Sequence, residues 1–116
     1  MENPFAYPMC CQTVTIYRKE GAAVTRRVVR DCYYRYADTL TEAEQGVRFV
    51  RKFLLIQPGQ ERICPGDRVL EGEGPQVTAD RWETFVPVNV PGLSQAAYAA
   101  PWHWEGQICH WEAGRK

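Results

Sequence analysis

The stretch that decides the fold is "VTRRVVRDCYYRYA", residues 24–37. It is rich in β-branched and aromatic residues and has no glycine or proline, which is typical of a β-strand. Strict alternation predicts an apolar face made of Val24, Val28, Cys32, Tyr34 and Tyr36. It predicts a second face made of Thr25, Arg27, Asp31, Tyr33 and Arg35. The segment therefore predicts one long strand.

The chain before this strand predicts its hairpin partner. "TVTIY" (Thr13–Tyr17) also alternates, and the "KEGAA" segment that follows turns the chain at Gly21. Residues 1–12 contain two prolines and no periodicity. We therefore expect residues 1–12 to form an N-terminal arm and residues 13–116 to form a single domain.

Residues 38–46, directly after the long strand, allow two interpretations. The polar sequence "TLTEAEQG" predicts a loop, while Thr41 and Glu44 have the spacing of a capping box and would begin one helical turn. The loop is the favoured interpretation, because Gly46 follows at once. The next segment, Val47–Ile56, predicts a third strand that ends before Pro58 and Gly59.

The second half of the chain predicts shorter strands. Asp67–Gly72 is one of them, and Arg81–Val90 is another, weakened by Pro87 because proline removes a hydrogen-bond donor. Residues 91–101 predict connecting chain with room for a short helix, and "WHWEGQICHWE" predicts two strands around Gly106. The whole pattern predicts an all-β fold: a small antiparallel β-barrel or sandwich of about six strands, with long loops and at most one short helix.

Composition and charge exclude several classes of protein. The formal net charge is zero, so no overall field draws the chain to nucleic acid or to a membrane surface. Nine Lys/Arg against six Asp/Glu in residues 1–60, and five against eight in residues 61–116, suggest head-to-tail stacking of copies. The N-terminus has no signal-peptide pattern and no apolar run spans a membrane. The five cysteines fit no disulfide framework, which predicts a reduced cytosolic protein.

The C-terminal segment contains the residues that could form a metal or catalytic site. His103, Cys109, His110 and Glu112 are close in sequence, and Cys10 with Cys11 could add thiolates. Structural zinc sites use ligands spaced by two to four residues, but the adjacent Cys109 and His110 point to opposite faces of a strand. The same geometry separates a thiol from its general base. We therefore expect no catalytic residues, no metal site and no cofactor.

Nucleic-acid binding is an open alternative for the first hairpin. Arg26, Arg27, Arg30 and Arg35 alternate with tyrosines, and such a surface can bind single strands by stacking and phosphate contact. Arginines on a sheet face also pair with neighbouring acids. Exposed tryptophans offer a different surface: Trp102 and Trp104 share one face of a strand and would either fill the core or face a partner.

Four groups of residues carry a family resemblance, in order along most of residues 13–116. They are Val14–Tyr17 with Arg27–Cys32, Leu54–Pro58, Gly66–Gly72 ("GDRVLEG") and His110–Lys116 ("HWEAGRK"). This order resembles the minor capsid or head–tail connector (head-closure) proteins of long-tailed bacteriophages and prophages. Ala113 and Arg115 depart from the residues that are commoner in that family.

The resemblance implies a structural protein of the virion neck, present in the host cytoplasm before assembly. Copies would form a ring between portal and tail and contact a portal or adaptor protein and a tail-completion or tail-tube protein. The resemblance implies no enzymatic activity and no membrane, with DNA only as passing cargo. A tail-completion or terminator subunit is the alternative within this class, and the single-strand-binding β-barrel is the alternative outside it.

A ring requires a heterologous interface, in which two different patches meet. A small barrel has little core, and oligomerisation commonly compensates for this. We expect the contacts in the 38–46 loop, in Gly59–Asp67 and at the C-terminus, where Trp111 packs inward and the last residues contact a neighbour. The predicted interface residues are Thr41, Glu42, Glu44, Gln60, Glu61, Arg62, Arg115 and Lys116.

Overall fold

A computed structural model describes residues 7–43 and 46–116. The strands are β1 (Gln12–Glu20), β2 (Ala23–Ala43), β3 (Gly46–Pro58), β4 (Arg68–Glu71), β5 (Leu93–Gln95), β6 (Tyr98–Trp104) and β7 (Gln107–Arg115). They form one antiparallel sheet in the order β5-β4-β1-β2-β3-β7-β6. The described residues also contain one 3₁₀ turn, Ala79–Arg81. None of them forms a helix that could span a membrane. The predicted all-β class is confirmed.

A β-bulge at Asp31 divides the long strand β2 into two parts. Val14 of β1 pairs with Val29, but Gln12 pairs with Cys32, so β2 has one extra residue there. Asp31 takes a φ of 59°, the left-handed conformation that such an extra residue often needs. The bulge reverses the alternation of faces. Our single apolar face is therefore wrong: Val24 packs in one hydrophobic cluster, while Cys32 and Tyr34 belong to another.

The main core lies between the two halves of the sheet. Its buried residues are Val14, Ile16, Cys32, Tyr34, Phe53, Leu55, Ile63, Val69, Ala96, Trp111 and Ala113. The outermost strands, β5 and β6, are joined by Ala96 and Ala97 alone, and the Ala97 N–H donates to the Gly114 carbonyl at 2.8 Å. The sheet therefore folds back on itself, and its two edges meet around this core.

A second cluster covers the outer face of β1 and β4. Tyr17, Val77, Phe85 and Leu93 are buried there, beneath the segment that connects β4 to β5. That segment is not the strand predicted for Arg81–Val90, because it forms the 3₁₀ turn and further turns. The Arg68 guanidinium donates to the Trp82 carbonyl and, at 2.7 Å, to the Phe85 carbonyl. It thus supplies the donors that a neighbouring strand would otherwise supply.

Two further predictions of local structure are wrong. Residues 91–101 are not connecting chain, since they contain β5 and most of β6. Residues 38–43 are neither a loop nor a helical turn, because β2 continues to Ala43 and is paired there with β3, which begins at Gly46. Glu44 of the expected capping box lies outside the described residues. Backbone pairing with β3 gives this polar segment a partner that its own composition does not indicate.

Residues 7–11 of the predicted N-terminal arm lie against the body, while residues 1–6 are outside the described part of the chain. The Tyr7 hydroxyl is 2.7 Å from His110 Nδ1, and the Cys10 side chain is buried. Gln12 already belongs to β1.

Candidate interaction surface

The β2–β3 hairpin projects beyond the strands on either side of it. We call residues 37–43 and 46–52 the arm. In β2, pairing with β1 ends at Cys32, and in β3, pairing with β7 begins at Phe53. Within the described residues, the two strands of the arm are therefore hydrogen-bonded to each other and to no other strand. An isolated two-stranded ribbon is marginally stable in water, so its base needs an anchor and its surface gains from a partner.

Arg51 anchors the base of the arm. Its guanidinium donates to both Asp38 carboxylate oxygens, at 2.5 and 2.9 Å, and to the carbonyls of Leu93 at 2.8 Å and Val90 at 3.1 Å. The rings of Tyr36 and Phe49 lie 4.9 and 5.3 Å from the guanidinium carbon. Arg51 is only 7% exposed. Its hydrogen bonds lower the pKa of Asp38 below the ordinary value, which keeps the pair ionised.

One face of the arm carries exposed apolar side chains, next to the Asp38–Arg51 pair that the register places on the same face. Tyr34 and Leu55 are a cross-strand pair in the core, and the period of two places Leu40 and Phe49, another such pair, on the same face. Leu40 is 73% exposed, and Val47, two residues before Phe49, is 66% exposed. The arm thus carries the core-facing side of the sheet out into solvent.

A groove of about 400 Å³ borders the base of the arm. Its lining consists of Phe49, Val50, Arg51, Val86, Pro87, Val88, Gln95 and Arg115. Val88 is exposed at its rim. The lining offers apolar side chains and two arginines, a surface suited to packing.

The β6–β7 hairpin exposes two tryptophans at the other end of the sheet. Trp102 is 55% exposed and stacks on His110, with ring centres 5.7 Å apart and an interplanar angle of 17°. Trp104 is 44% exposed. The turn between the strands is formed by Glu105 and Gly106, both with positive φ, as a two-residue hairpin of this kind needs.

The arm and this tryptophan surface, Trp102 with Trp104, lie at opposite ends of the molecule. Pro58 pairs with His110, and His110 pairs with Trp102, so Trp102 is level with the end of β3. Val47 lies near the beginning of β3. At about 3.3 Å per residue, the strand between Val47 and Pro58 spans roughly 36 Å. The longest extent of the described chain, 50 Å, agrees with this separation.

Five of the predicted interface residues lie towards these two ends. Thr41 and Glu42 lie in the strand β2 part of the arm. The side chains of Gln60, Glu61 and Arg62 are exposed beyond the end of β3, while their carbonyls accept hydrogen bonds from the body. The loop Gly59–Asp67 is therefore a fixed cap, held further by two 2.8 Å bonds from Arg18 to the buried Asp67 carboxylate.

The C-terminal residues pack on the body. Trp111 is buried, as predicted, but Arg115 is not a free end: it lies in β7, and its Nε donates to the Gln95 carbonyl at 3.2 Å. Lys116 is exposed, with its Nζ 5.7 Å from the centre of the Tyr98 ring.

The four arginines predicted to face nucleic acid do not form one free surface. The guanidinium of Arg26 donates to the Gly74 carbonyl at 2.8 Å, and that of Arg27, on the opposite face, donates to Gln57 Oε1 at 2.7 Å. Burial lowers the pKa of Arg27. Arg30 pairs with Glu73 at 3.2 Å, and Arg35 is exposed beyond the bulge.

The Cys/His segment of the C-terminus does not converge on a site. Cys109 is buried, while His110 packs between Trp102 and Tyr7 on the outer side. Within residues 7–43 and 46–116, no group of three or more His, Cys, Asp or Glu is placed to hold a metal ion. Burial raises the pKa of the Cys32 thiol to about 12, which makes it a poor nucleophile.

The sequence analysis missed the apolar face of the arm. Leu40 stood in a segment predicted to be a loop, and Val47 and Phe49 were assigned to an ordinary strand. The alternation of Leu40 with polar neighbours could have indicated the longer hairpin.

Comparisons with protein-family models, with curated proteins and with solved structures find no match to this chain.

Proposed function

We propose that this chain is a structural subunit of a bacteriophage neck, a head–tail connector or head-closure protein that assembles as a ring between portal and tail. It performs no reaction. Its partners are copies of itself, a portal or adaptor protein and a tail-completion or tail-tube protein. The resemblance of Gly66–Gly72 and His110–Lys116 to that family supports the proposal.

The observation that carries the proposal is the arm. A small β-domain gains no stability from a ribbon that extends beyond its own core with Leu40 and Val47 in water. Such a ribbon is useful when another protein covers it. Because Arg51 fixes its base, the arm is presented in one direction, which lowers the entropy lost on docking.

The distribution of exposed apolar residues also supports a ring. The arm lies at one end of the sheet and the tryptophan surface at the other, so each subunit offers two different patches. Different patches give heterologous contacts, which close into a ring when the rotation between neighbours permits. The exposed Gln60–Arg62 lie beyond the end of β3, and Thr41 and Glu42 are backbone positions of the arm.

The test is co-assembly. The chain is co-expressed with the portal-type and tail-completion proteins encoded beside it, and the products are examined by native mass spectrometry and negative-stain electron microscopy. We expect a ring of this chain attached to the portal. Flanking genes for neither protein, or co-expression that leaves the chain separate from both, would refute the proposal.

A matched pair of variants tests the role of the arm. Leu40→Glu puts a charge on its apolar face, and Ala37→Glu puts the same charge on the opposite face, across from Lys52. We expect Leu40→Glu to abolish co-assembly while circular dichroism of the isolated chain is unchanged. Ala37→Glu should assemble normally, because its carboxylate can pair with Lys52.

A further inference from the structure

We infer that the arm of one copy packs against the tryptophan surface of a second copy, head to tail. The inference rests on the proposed function, because the ring supplies the neighbouring copy. It specifies which two patches meet: Leu40, Val47 and Phe49 on one side, and Trp102 with Trp104 on the other.

The two surfaces match in chemistry. Leu40 and Val47 are largely exposed aliphatic side chains on a narrow ribbon, and large exposed aromatic rings are the side chains that most often anchor interfaces. Strand β6 is an edge of the sheet order, and its sequence "YAAPWHW" contains no Asp, Glu, Lys or Arg. Natural proteins protect such edges with charge, proline or β-bulges, and β6 has a register shift between Trp102 and His103 but no charge. Here, Pro101 is the only residue of β6 that lacks a backbone N–H.

The separation of the two surfaces requires that the contact be made between molecules. Val47 and Trp102 are roughly 36 Å apart along β3, so an arm cannot fold onto its own tryptophans. The contact is also not self-complementary, since the arm meets a different patch and leaves its own tryptophan surface for the next copy. Repetition of one such contact produces a ring or a filament rather than a two-fold dimer.

The size of the patches predicts a weak individual contact. A stable interface buries about 800 Å² on each partner, and a two-stranded ribbon against one short hairpin offers less. We therefore expect an isolated chain to be monomeric when dilute. In a closed ring, every subunit makes the contact twice, and the portal holds the copies at high effective concentration.

Photo-crosslinking tests the inference directly. The photoreactive amino acid p-benzoylphenylalanine is placed at Leu40 and, as the control on the opposite face, at Ala37. Equal amounts of nitrogen-isotope-labelled and unlabelled chains are mixed at about 1 mM, where contacts below standard size become populated. Mass spectrometry of crosslinked peptides then separates links between copies from links within one.

We expect the Leu40 probe to link to residues 98–107 of a second copy, and the Ala37 probe to give no such product. Trp102→Ala combined with Trp104→Ala should lower the yield by about tenfold or more, as expected for interface tryptophans. Trp104→Ala alone leaves the Trp102–His110 stack in place and should still lower the crosslinking yield.

The inference is overturned if the Leu40 probe gives no crosslinks between copies, reaches another region, or reacts equally without the tryptophans. Its failure is distinct from failure of the proposed function. A portal-bound ring in which the Leu40 probe reaches portal protein alone would overturn the arm–tryptophan contact and leave the connector role standing. Crosslinks from Leu40 to residues 98–107 without any binding to portal would support the arm–tryptophan contact and overturn the connector role.

Discussion

Replacing Arg51 with methionine tests whether the arm is held by one buried guanidinium. Methionine has similar length and no hydrogen-bond donor, so it keeps the aliphatic contacts with Tyr36 and Phe49 and removes every polar bond. Asp38 is partly exposed, so water hydrates its carboxylate in the variant and the loss of the ion pair contributes little to the change in stability. The carbonyls of Val90 and Leu93 lose their charged donor.

The magnitude follows from those two carbonyls. A hydrogen bond from a charged donor contributes about 1.5–3 kcal/mol, and the bond to the half-buried Val90 carbonyl, which also accepts the Leu93 N–H, lies at the lower end of that range. The pair therefore predicts a decrease of about 3–5 kcal/mol in the free energy of unfolding. For a domain of this size, that is a fall in the melting temperature of about 12–20 °C.

Urea unfolding followed by tryptophan fluorescence measures the global change, and amide hydrogen exchange of residues 37–43 and 46–52 measures the local one. We expect the amides of the arm to exchange faster in Arg51→Met than in the parent, and to change more than amides elsewhere, because the base of the arm has lost its anchor. Lys52→Met is the control: its side chain is exposed and should change the free energy by less than about 0.5 kcal/mol. A loss below about 1 kcal/mol in Arg51→Met, with arm exchange unchanged, would show that Arg51 does not hold the arm.

Three further predictions concern the body of the domain. Cys32 is buried and its pKa is raised to about 12, so its thiol should resist alkylation at pH 8 in the native protein, while the exposed Cys11 reacts. Isotope-coded alkylation followed by mass spectrometry measures both thiols. Burial lowers the pKa of His110, so the unfolded state binds its proton first, and stability should fall as pH drops below about 6.5. Urea midpoints between pH 7 and 5 should show a shallower slope for His110→Gln than for the parent. Asp31→Val should lower the free energy of unfolding by about 1–2 kcal/mol, because φ is positive there, whereas Asp31→Gly should preserve it in thermal unfolding.

The strands that sequence analysis located correctly are those with a clear apolar alternation. The later part of Val47–Ile56 and the strand after Gly106 bury alternate residues, so the pattern follows directly from the packing. Val14–Tyr17 are all buried, because β1 lies between the two hydrophobic clusters. Asp67–Gly72 was found from its turn residues as much as from its strand. The all-β class followed from these segments together.

The errors occur where a distant partner determines the local structure. The polar segment 38–43 is a strand because β3 pairs with it and Arg51 binds Asp38 from across the ladder. Residues 81–90 alternate like a strand, yet Arg68 binds the carbonyls of Trp82 and Phe85 and stabilises turns instead. No local pattern contains either contact.

The alanine-rich segment was misjudged for a different reason. Residues 91–101 contain four alanines between two prolines and were predicted to be connecting chain, but small residues are needed where the sheet edges meet. Gly114 shows this most clearly: a Cβ there would lie 2.6 Å from the Phe53 carbonyl oxygen and 2.8 Å from the Tyr98 hydroxyl. Small size is a packing requirement in this part of the sheet.

The candidate surface was half predictable. Two tryptophans on one face of a strand indicated either a core or a partner surface, and their exposure shows that they are not core. The arm required the β2–β3 ladder to be known, because Leu40 becomes notable only when it continues the face of Tyr34. Of the predicted interface residues, Arg115 is bound to the body, whereas Gln60–Arg62 remain exposed.

The anchoring of the arm bears on how a ring of such subunits could close. The angle between neighbours in a ring is set by the direction of the contacting element relative to the patch it offers in turn. Arg51 binds the carbonyls of Val90 and Leu93, and β5 begins at Leu93, three residues before the link to β6. One side chain thus ties the direction of the arm to the chain that leads into the tryptophan strand. If that tie sets the angle, Arg51→Met subunits should still crosslink through Leu40 but form open or irregular chains instead of closed rings, which electron microscopy would distinguish. Uniform closed rings from this variant would place the control of the angle elsewhere.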